Sequence, residues 1–503
     1  MQRRLIFAEN AKTFDICREC RDAWFFLRQS ARQIQVFEMD EHNNIRKSFW
    51  LTLLTVSLLL LLFFLPRIEL FDKTLRRVNL LSDVMRKSSD GTILAEAALD
   101  SLQGYEDSLK VDAALESELA SLAEAASDSV EERLVLIEDY AGGDSCEMDK
   151  FHQALTESSN RQVRIAFFGD SFIEGDILAG HLRHLFQSRY GGKGVGWVEV
   201  ENVSDQFRAT VRAKNDGWSI HTAVDNHGFI AGNQSFAGSY FLPDSIGHLT
   251  LRCQSTYYPE QLAKVDEATV FYQSNGSLEL IAGMNGGSKE TVEIEAIKEL
   301  QTHKMSGNIS SVDLEATGDG LVYGVALDGT NGIVLDNYCL RGSTGLHLSD
   351  VSESFATRFA SERPYDLIML EYGLNVASKK STDYSSYIHS MTKVIRKLKT
   401  WFPEASILVL GASDRDEKGD DGQLHTMKGV ESLIKFQRKL AHDSGVAFWD
   451  TRRAMGGEGA IAKFEEEGMA GKDYTHINAK GGDYLAELLF DALTSDVKKR
   501  KAK

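Results

Sequence analysis

Cysteine is scarce in this chain. Five cysteines in 503 residues, at positions 17, 20, 146, 253 and 339, do not make a disulfide framework. Cys17 and Cys20 form one CxxC, but no second pair accompanies it, so they read as ordinary thiols rather than zinc ligands. Positive charge is also in deficit. The 56 Lys and Arg stand against 74 Asp and Glu, a formal net charge of −18, which argues against a nucleic-acid partner. There is no internal repeat, no sustained heptad and no Walker-type phosphate loop, which excludes a solenoid, a coiled coil and a P-loop enzyme.

What is present suggests roughly three units at about 150 residues each, with 43% hydrophobic residues to fill a sizeable core. Residues 1–48 are a short mixed-charge, aromatic arm carrying nine Lys/Arg and seven Asp/Glu. They suit a segment lying against a membrane or a poorly ordered one. Phe49 to Leu65 then runs seventeen residues without a charge, with unbroken leucine from 58 to 62. Apolar on all sides and long enough to span, residues 49–66 are expected to be a transmembrane anchor. Pro66-Arg67-Ile68-Glu69 follows in place of a small-residue cleavage site, so the anchor is expected to stay. Arg46 and Lys47 before it and Arg67, Lys73, Arg76 and Arg77 after it leave its orientation open. Residues 67–135, rich in Ala, Leu, Glu, Ser and Asp, read as a helical, flexible stalk.

From residue 136 the character changes to that of a folded α/β domain, expected over 136–197 and 332–495. Val163 to Phe168, with only Arg164 charged, predicts a buried strand that stops at Gly169-Asp170-Ser171. A helical pattern follows in Ile177, Leu178, His181, Leu182 and Leu185. Strands at Gly332–Asp336, Asp366–Glu371, Ser406–Leu410 and Val446–Trp449 alternate with helices at 384–401, 430–444 and 484–493. The alternation predicts a parallel, doubly wound sheet. Between the two halves, residues 198–331 show short alternating runs broken by Asn-Gly and Gly-Asp-Gly turns. They predict an inserted, separable, jelly-roll-like β-sandwich. The glycines of Tyr190 to Trp197 suggest a flexible connection into it. Residues 496–503 form a basic tail.

In a doubly wound sheet, ligands gather at the carboxyl ends of the strands. Ser171, Gly342 and Asn375 each follow such an end, and Asp473-Tyr-Thr-His476 precedes the closing helix. Serine is a weak nucleophile until an imidazole takes its proton. The imidazole needs a carboxylate to fix its tautomer, and the oxyanion that forms needs preorganised N–H donors.

The set Gly169-Asp-Ser171, Asn337-x4-Gly342, Glu371-x-Gly-x-Asn375 and Asp473-x2-His476, in that order, resembles the SGNH (GDSL) esterase family over residues 163–193 and 333–493. The resemblance implies Ser171 as nucleophile, His476 as base and Asp473 as its orienter. It implies oxyanion donors from the backbone N–H groups of Ser171 and Gly342 and the side-chain amide of Asn375. Bulky residues precede Gly342, so Gly345 is a second candidate for that donor. The anchor and the insert add a resemblance to bacterial envelope carbohydrate O-acetylesterases, including those of peptidoglycan, which implies a catalytic domain on the extracytoplasmic side of the inner membrane. The implied substrate is an acylated envelope polysaccharide, with envelope-assembly or acyltransferase proteins as partners and no cofactor or metal. An O-acetyltransferase using the same residues, and a glycan-binding protein with an idle triad, are the alternatives. Asp170, Glu174 and Asp176 are candidate substrate contacts. Trp218, Tyr240, Phe241, Tyr257 and Tyr258 are candidates for stacking on sugars, or for the core of the insert. His181 and His184, without further ligands, are expected on a surface helix.

Overall fold

A computed structural model describes residues 135–495, apart from 143, 144, 226, 255, 296 and 420, and the backbone of a two-residue ladder, Glu69–Leu70 against Lys73–Thr74. The expected arm, anchor and basic tail, and the expected stalk apart from that ladder and Val135, lie outside the described residues. Among the described residues no helix is long and apolar enough to cross a membrane.

The α/β part is built from β1 (Glu138–Asp139), α1 (Asp149–Thr156), β2 (Gln162–Gly169), α2 (Ala179–Tyr190), β3 (Gly332–Cys339), α3 (Glu353–Glu362), β4 (Leu367–Glu371), α4 (Ser385–Trp401), β5 (Ser406–Leu410), α5 (Lys428–Ser444), β6 (Ala447–Trp449) and α6 (Ala479–Thr494). The sheet order is β3-β2-β4-β5-β6-β1. All neighbours are parallel except the short edge strand β1. Strands covered on both faces have no solvent side, so β4 and β5 are buried at every residue, and so is β2 from Ile165 onward. Helices supply the cover. On α4, Ile388, Met391, Val394, Ile395 and Leu398 recur at three- and four-residue intervals and are buried. On α6, the Asn478 side chain accepts from the N–H groups of Lys480 and Gly481 and fixes where the helix begins.

The register places the strand ends that matter side by side. Gly169 at the end of β2 lies between Cys339 of β3 and Glu371 of β4. The loops that leave these three strands therefore start together, with that of β2 in the middle.

The nine antiparallel strands of the inserted segment are joined into one hydrogen-bonded sheet. The fifteen-residue strand Ser239–Cys253 explains this: it bonds Val211–Thr222 along most of its length, Ser311–Thr317 at one end and Gly320–Asp328 at Phe241. The sheet encloses a core that includes Leu249, Leu251, Val270, Tyr272, Leu314 and Val325. At its edges it shares a core with the α/β part. Phe236, Phe271, Leu321 and Tyr323 of the insert belong to the same core cluster as β2 and β4. Arg363, buried after α3, donates to Asp328 of the insert and Asp336 of β3, both at 2.6 Å.

The glycine-rich entry to the insert is fixed as well, where flexibility was expected. Gly192, Gly194 and Gly196 have φ of 119°, 84° and 70°. A Cβ on any of them would strike Ile333, Leu327 or Asp336 respectively, so the chain passes there only as glycine.

Candidate active site

Ser171 is placed by the abrupt end of β2. Asp170 turns its carboxylate back onto the Phe172 N–H at 3.0 Å, capping a tight helical turn over Ser171–Asp176. A Cβ on Gly169 would meet Ile173 and the Glu371 carbonyl, so this turn also needs glycine. Ser171 is 9% exposed. Its Oγ lies 3.0 Å from His476 Nε2, and His476 Nδ1 lies 2.6 Å from Asp473 Oδ2. Nδ1 donates to the carboxylate, which leaves the Nε2 lone pair facing the hydroxyl.

The loop that carries the pair is itself braced. Asp473 Oδ1 accepts from the N–H groups of Thr475 and His476, both at 3.1 Å. Tyr474 takes φ 51°, its N–H donates to the Gly471 carbonyl, and its own carbonyl receives Asp416 N–H. Partial burial works to raise the Asp473 carboxyl, but the His476 side chain and the two N–H groups outweigh it and hold the group below its usual range. Asp473 is thus a carboxylate at neutral pH, the state that can orient an imidazole.

The oxyanion candidates fall into two kinds. The N–H groups of Ser171 and Gly342 have no partner among the described backbone bonds, and Gly342 takes φ 82° in an exposed turn. The N–H of Gly345, the second candidate, is committed to Ser343 Oγ at 3.0 Å. Asn375 is brought to the nucleophile's turn, but both hydrogens of its amide are engaged: Nδ2 is 2.8 Å from Asp170 Oδ2 and 2.9 Å from the Ser343 carbonyl.

The three candidate substrate contacts separate. Asp170 is fully buried, and burial pushes its carboxyl up to about 6 against the opposing pull of Phe172 N–H, His476 and Asn375. Behind it Glu371 is buried as well, and burial, reinforced by Asp170, raises its carboxyl far above the usual range. Glu174 is largely buried, its side chain 13% exposed, and Oε2 lies 3.4 Å from Arg341. Asp176 does not face a substrate. It is buried in a closed cluster, accepting from Arg183, Arg208, Thr210 and Asn337, and burial, which alone would raise it, is overcome by the two guanidinium groups that hold it ionised. The sequence carried no sign that Arg208 and Thr210, across the boundary of the insert, would close this cluster.

The candidate stacking aromatics are mostly core. Trp218, Tyr240 and Phe241 are 8%, 2% and 0% exposed. Tyr258 is partly exposed, but its ring stacks on His184 with centroids 3.8 Å apart and its hydroxyl lies 2.6 Å from His181 Nδ1. The two histidines therefore sit under an insert tyrosine, not on an open surface.

No family model matches the chain, and no curated protein matches it. A solved structure of a peptidoglycan O-acetylesterase matches with 24% identity and a TM-score of 0.60, covering 73% of this chain and 99% of that one. Shorter matches include an acetyl xylan esterase (18% identity, 32% of this chain and 81% of that one, TM-score 0.24) and a GDSL-like lipase from Parabacteroides merdae (16%, 32% and 73%, TM-score 0.26). The first of these likenesses shows a shared fold. That fold agrees with the SGNH-type architecture that the four motifs imply.

Proposed function

We propose that this chain is a serine esterase that removes O-acetyl groups from a cell-envelope polysaccharide, peptidoglycan foremost. The observation that carries the reading is the relay Ser171 Oγ, His476 Nε2, His476 Nδ1, Asp473 Oδ2, at 3.0 and 2.6 Å, on the carboxyl edge of a parallel sheet. The fold shared with a peptidoglycan O-acetylesterase supports the substrate class.

In the mechanism, His476 takes the Ser171 proton as Oγ attacks the acetyl carbonyl. The tetrahedral oxyanion accepts from the N–H groups of Ser171 and Gly342, joined by the Asn375 amide once one of its present bonds yields. His476 then protonates the departing sugar oxygen. Water, deprotonated by the same imidazole, releases acetate from Ser171. The His476 side chain is 37% exposed, so water reaches the base.

Residues 49–66 anchor the protein in the inner membrane, and the catalytic part faces outward, where its polysaccharide lies. Two assays test the reading. The full chain in detergent should release acetate from O-acetylated peptidoglycan, and protease added outside spheroplasts should digest the chain beyond residue 67. No acetate from any acetylated polysaccharide would refute the activity, and protection from protease would reverse the topology.

A further inference from the structure

Gly175 lies four residues beyond Ser171 in the same turn, at φ 60°. A Cβ there would run into the Phe207 ring, so Phe207 rests directly on the glycine backbone. Phe207 comes from the loop between the first two strands of the inserted sheet, Gly196–Val198 and Val211–Thr222. That loop is rigidly pinned. Asn202 Oδ1 accepts from Ser204 N–H at 3.0 Å, Asn202 N–H donates to Asp205 at 2.9 Å, and Phe207 N–H donates to the Ser204 carbonyl at 3.0 Å. Arg208 Nε ties the loop to Asp176 at 3.0 Å.

Despite this, Phe207 is 49% exposed and Val203 on the same loop 63%. Lone exposed apolar residues are common and need no explanation in themselves. Phe207 differs in its placement: it is an ordered aromatic face fixed to the turn that carries the nucleophile. The same turn holds a polar counterpart. Glu174 reaches Arg341, which is 58% exposed and directly precedes Gly342. An aromatic face beside a charged pair suits a sugar ring. The C–H face of a pyranose carries slight positive charge and meets the negative face of an arene, while its hydroxyls need ionic or hydrogen-bonding partners.

We propose that Phe207 is the wall on which the sugar bearing the O-acetyl group stacks, with Glu174 and Arg341 taking its polar edge. The insert then contributes directly to the cleft, through a loop residue and not through the buried aromatics of its strands. The proposal rests on the esterase reading.

The test uses the full chain in detergent and compares hydrolysis of O-acetylated peptidoglycan with that of a small aliphatic acetate ester. Phe207→Ala should lower the ratio of the two kcat/KM values about tenfold, mainly through KM for the polymer. Phe207→Trp should restore the ratio, and Phe207→Leu, which keeps an apolar filler without an arene, should not. Should the alanine variant fail to fold, the leucine and tryptophan variants carry the test. A ratio that Phe207→Leu leaves at the wild-type value overturns the proposal. If the wild-type protein hydrolyses no ester, the esterase reading fails by itself. The wall is then tested by co-sedimentation of Ser171→Ala protein with O-acetylated peptidoglycan. Binding lost on adding Phe207→Leu supports the wall, and unchanged binding overturns it.

Discussion

The Asn375 amide is tied to the Asp170 carboxylate, Nδ2 to Oδ2 at 2.8 Å, and its other hydrogen goes to the Ser343 carbonyl at 2.9 Å. Asp170 immediately precedes the nucleophile, so this bond locks the loop after β4 to the turn after β2. It also means that Asn375 can serve an oxyanion only by giving up part of an existing bond as negative charge develops. Asn375→Ala should therefore lower kcat by about 10²–10³ with KM little changed, the usual cost of losing one oxyanion donor. A loss below tenfold would leave the task to the N–H groups of Ser171 and Gly342 alone. Steady-state kinetics on an acetate ester decides it.

Ser171, His476 and Asp473 should behave as one unit. His476→Ala should cost several orders of magnitude in kcat, and Ser171→Ala with His476→Ala should be little worse than either alone. Asp473→Asn should cost up to about 10⁴, because an amide favours the wrong imidazole tautomer. Asp473 is half-exposed, so water can partly replace it, which makes that figure an upper bound. Additive losses in the double variant would contradict a shared relay.

Glu199 gives a pH signature for the seam between the insert and the α/β part. Burial pushes its carboxyl up to about 7, against the Ser239 hydroxyl and the Asn202 amide. Below about pH 4 both folded and unfolded chains hold the proton. Between about 4 and 7 the unfolded chain ionises first, so this group makes stability fall as pH rises, by at most about 3 kcal/mol. Glu199→Gln removes that dependence. Thermal unfolding should show the variant gaining on the wild type between about pH 5 and pH 8. A gap that does not change with pH would contradict a raised carboxyl at this position.

Removal of residues 198–330 should unfold the α/β part. It would strip Arg208 and Thr210 from Asp176, Asp328 from Arg363, and Phe236, Phe271 and Tyr323 from the shared core. Leaving one member of a buried ion pair unpaired costs about 3–5 kcal/mol, a large share of a domain's stability. Loss of the cooperative thermal transition is the expected result, and a folded, active remainder would contradict it. Arg363→Met offers a milder check through its melting temperature, which should drop.

Much of the α/β part was legible because its signals are local. Apolar runs bounded by turn residues gave the strands, and helical spacing gave α4 and α5 nearly to their ends, while α6 begins five residues before the expected start, at Ala479. Three of the four short blocks that predicted the site meet at one sheet edge because adjacent parallel strands end together there, and the fourth, Asp473 to His476, reaches Ser171 from the loop before α6. Long-range features were not legible. Nothing in the spacing of Asp176, Arg183 and Arg208 says that they form one buried cluster, or that Asn375 spends both amide hydrogens. Trp218, Tyr240 and Phe241 read equally as sugar platforms or core, since alternation gives a face but not which face is covered. Phe207 drew no notice because its meaning depends on Gly175, thirty-two positions earlier.

The most direct test of the central claim is the rate of acetate release from O-acetylated peptidoglycan by Ser171→Ala protein whose fold is verified by circular dichroism. The alanine removes only the atom that would carry the acetyl group, at a site 3.0 Å from the His476 ring. The expected result is a loss of several orders of magnitude, down to the residual rate that oxyanion donors and binding alone sustain. Near-normal release by the folded variant would contradict the account, and the chemistry would then have to lie elsewhere in the chain.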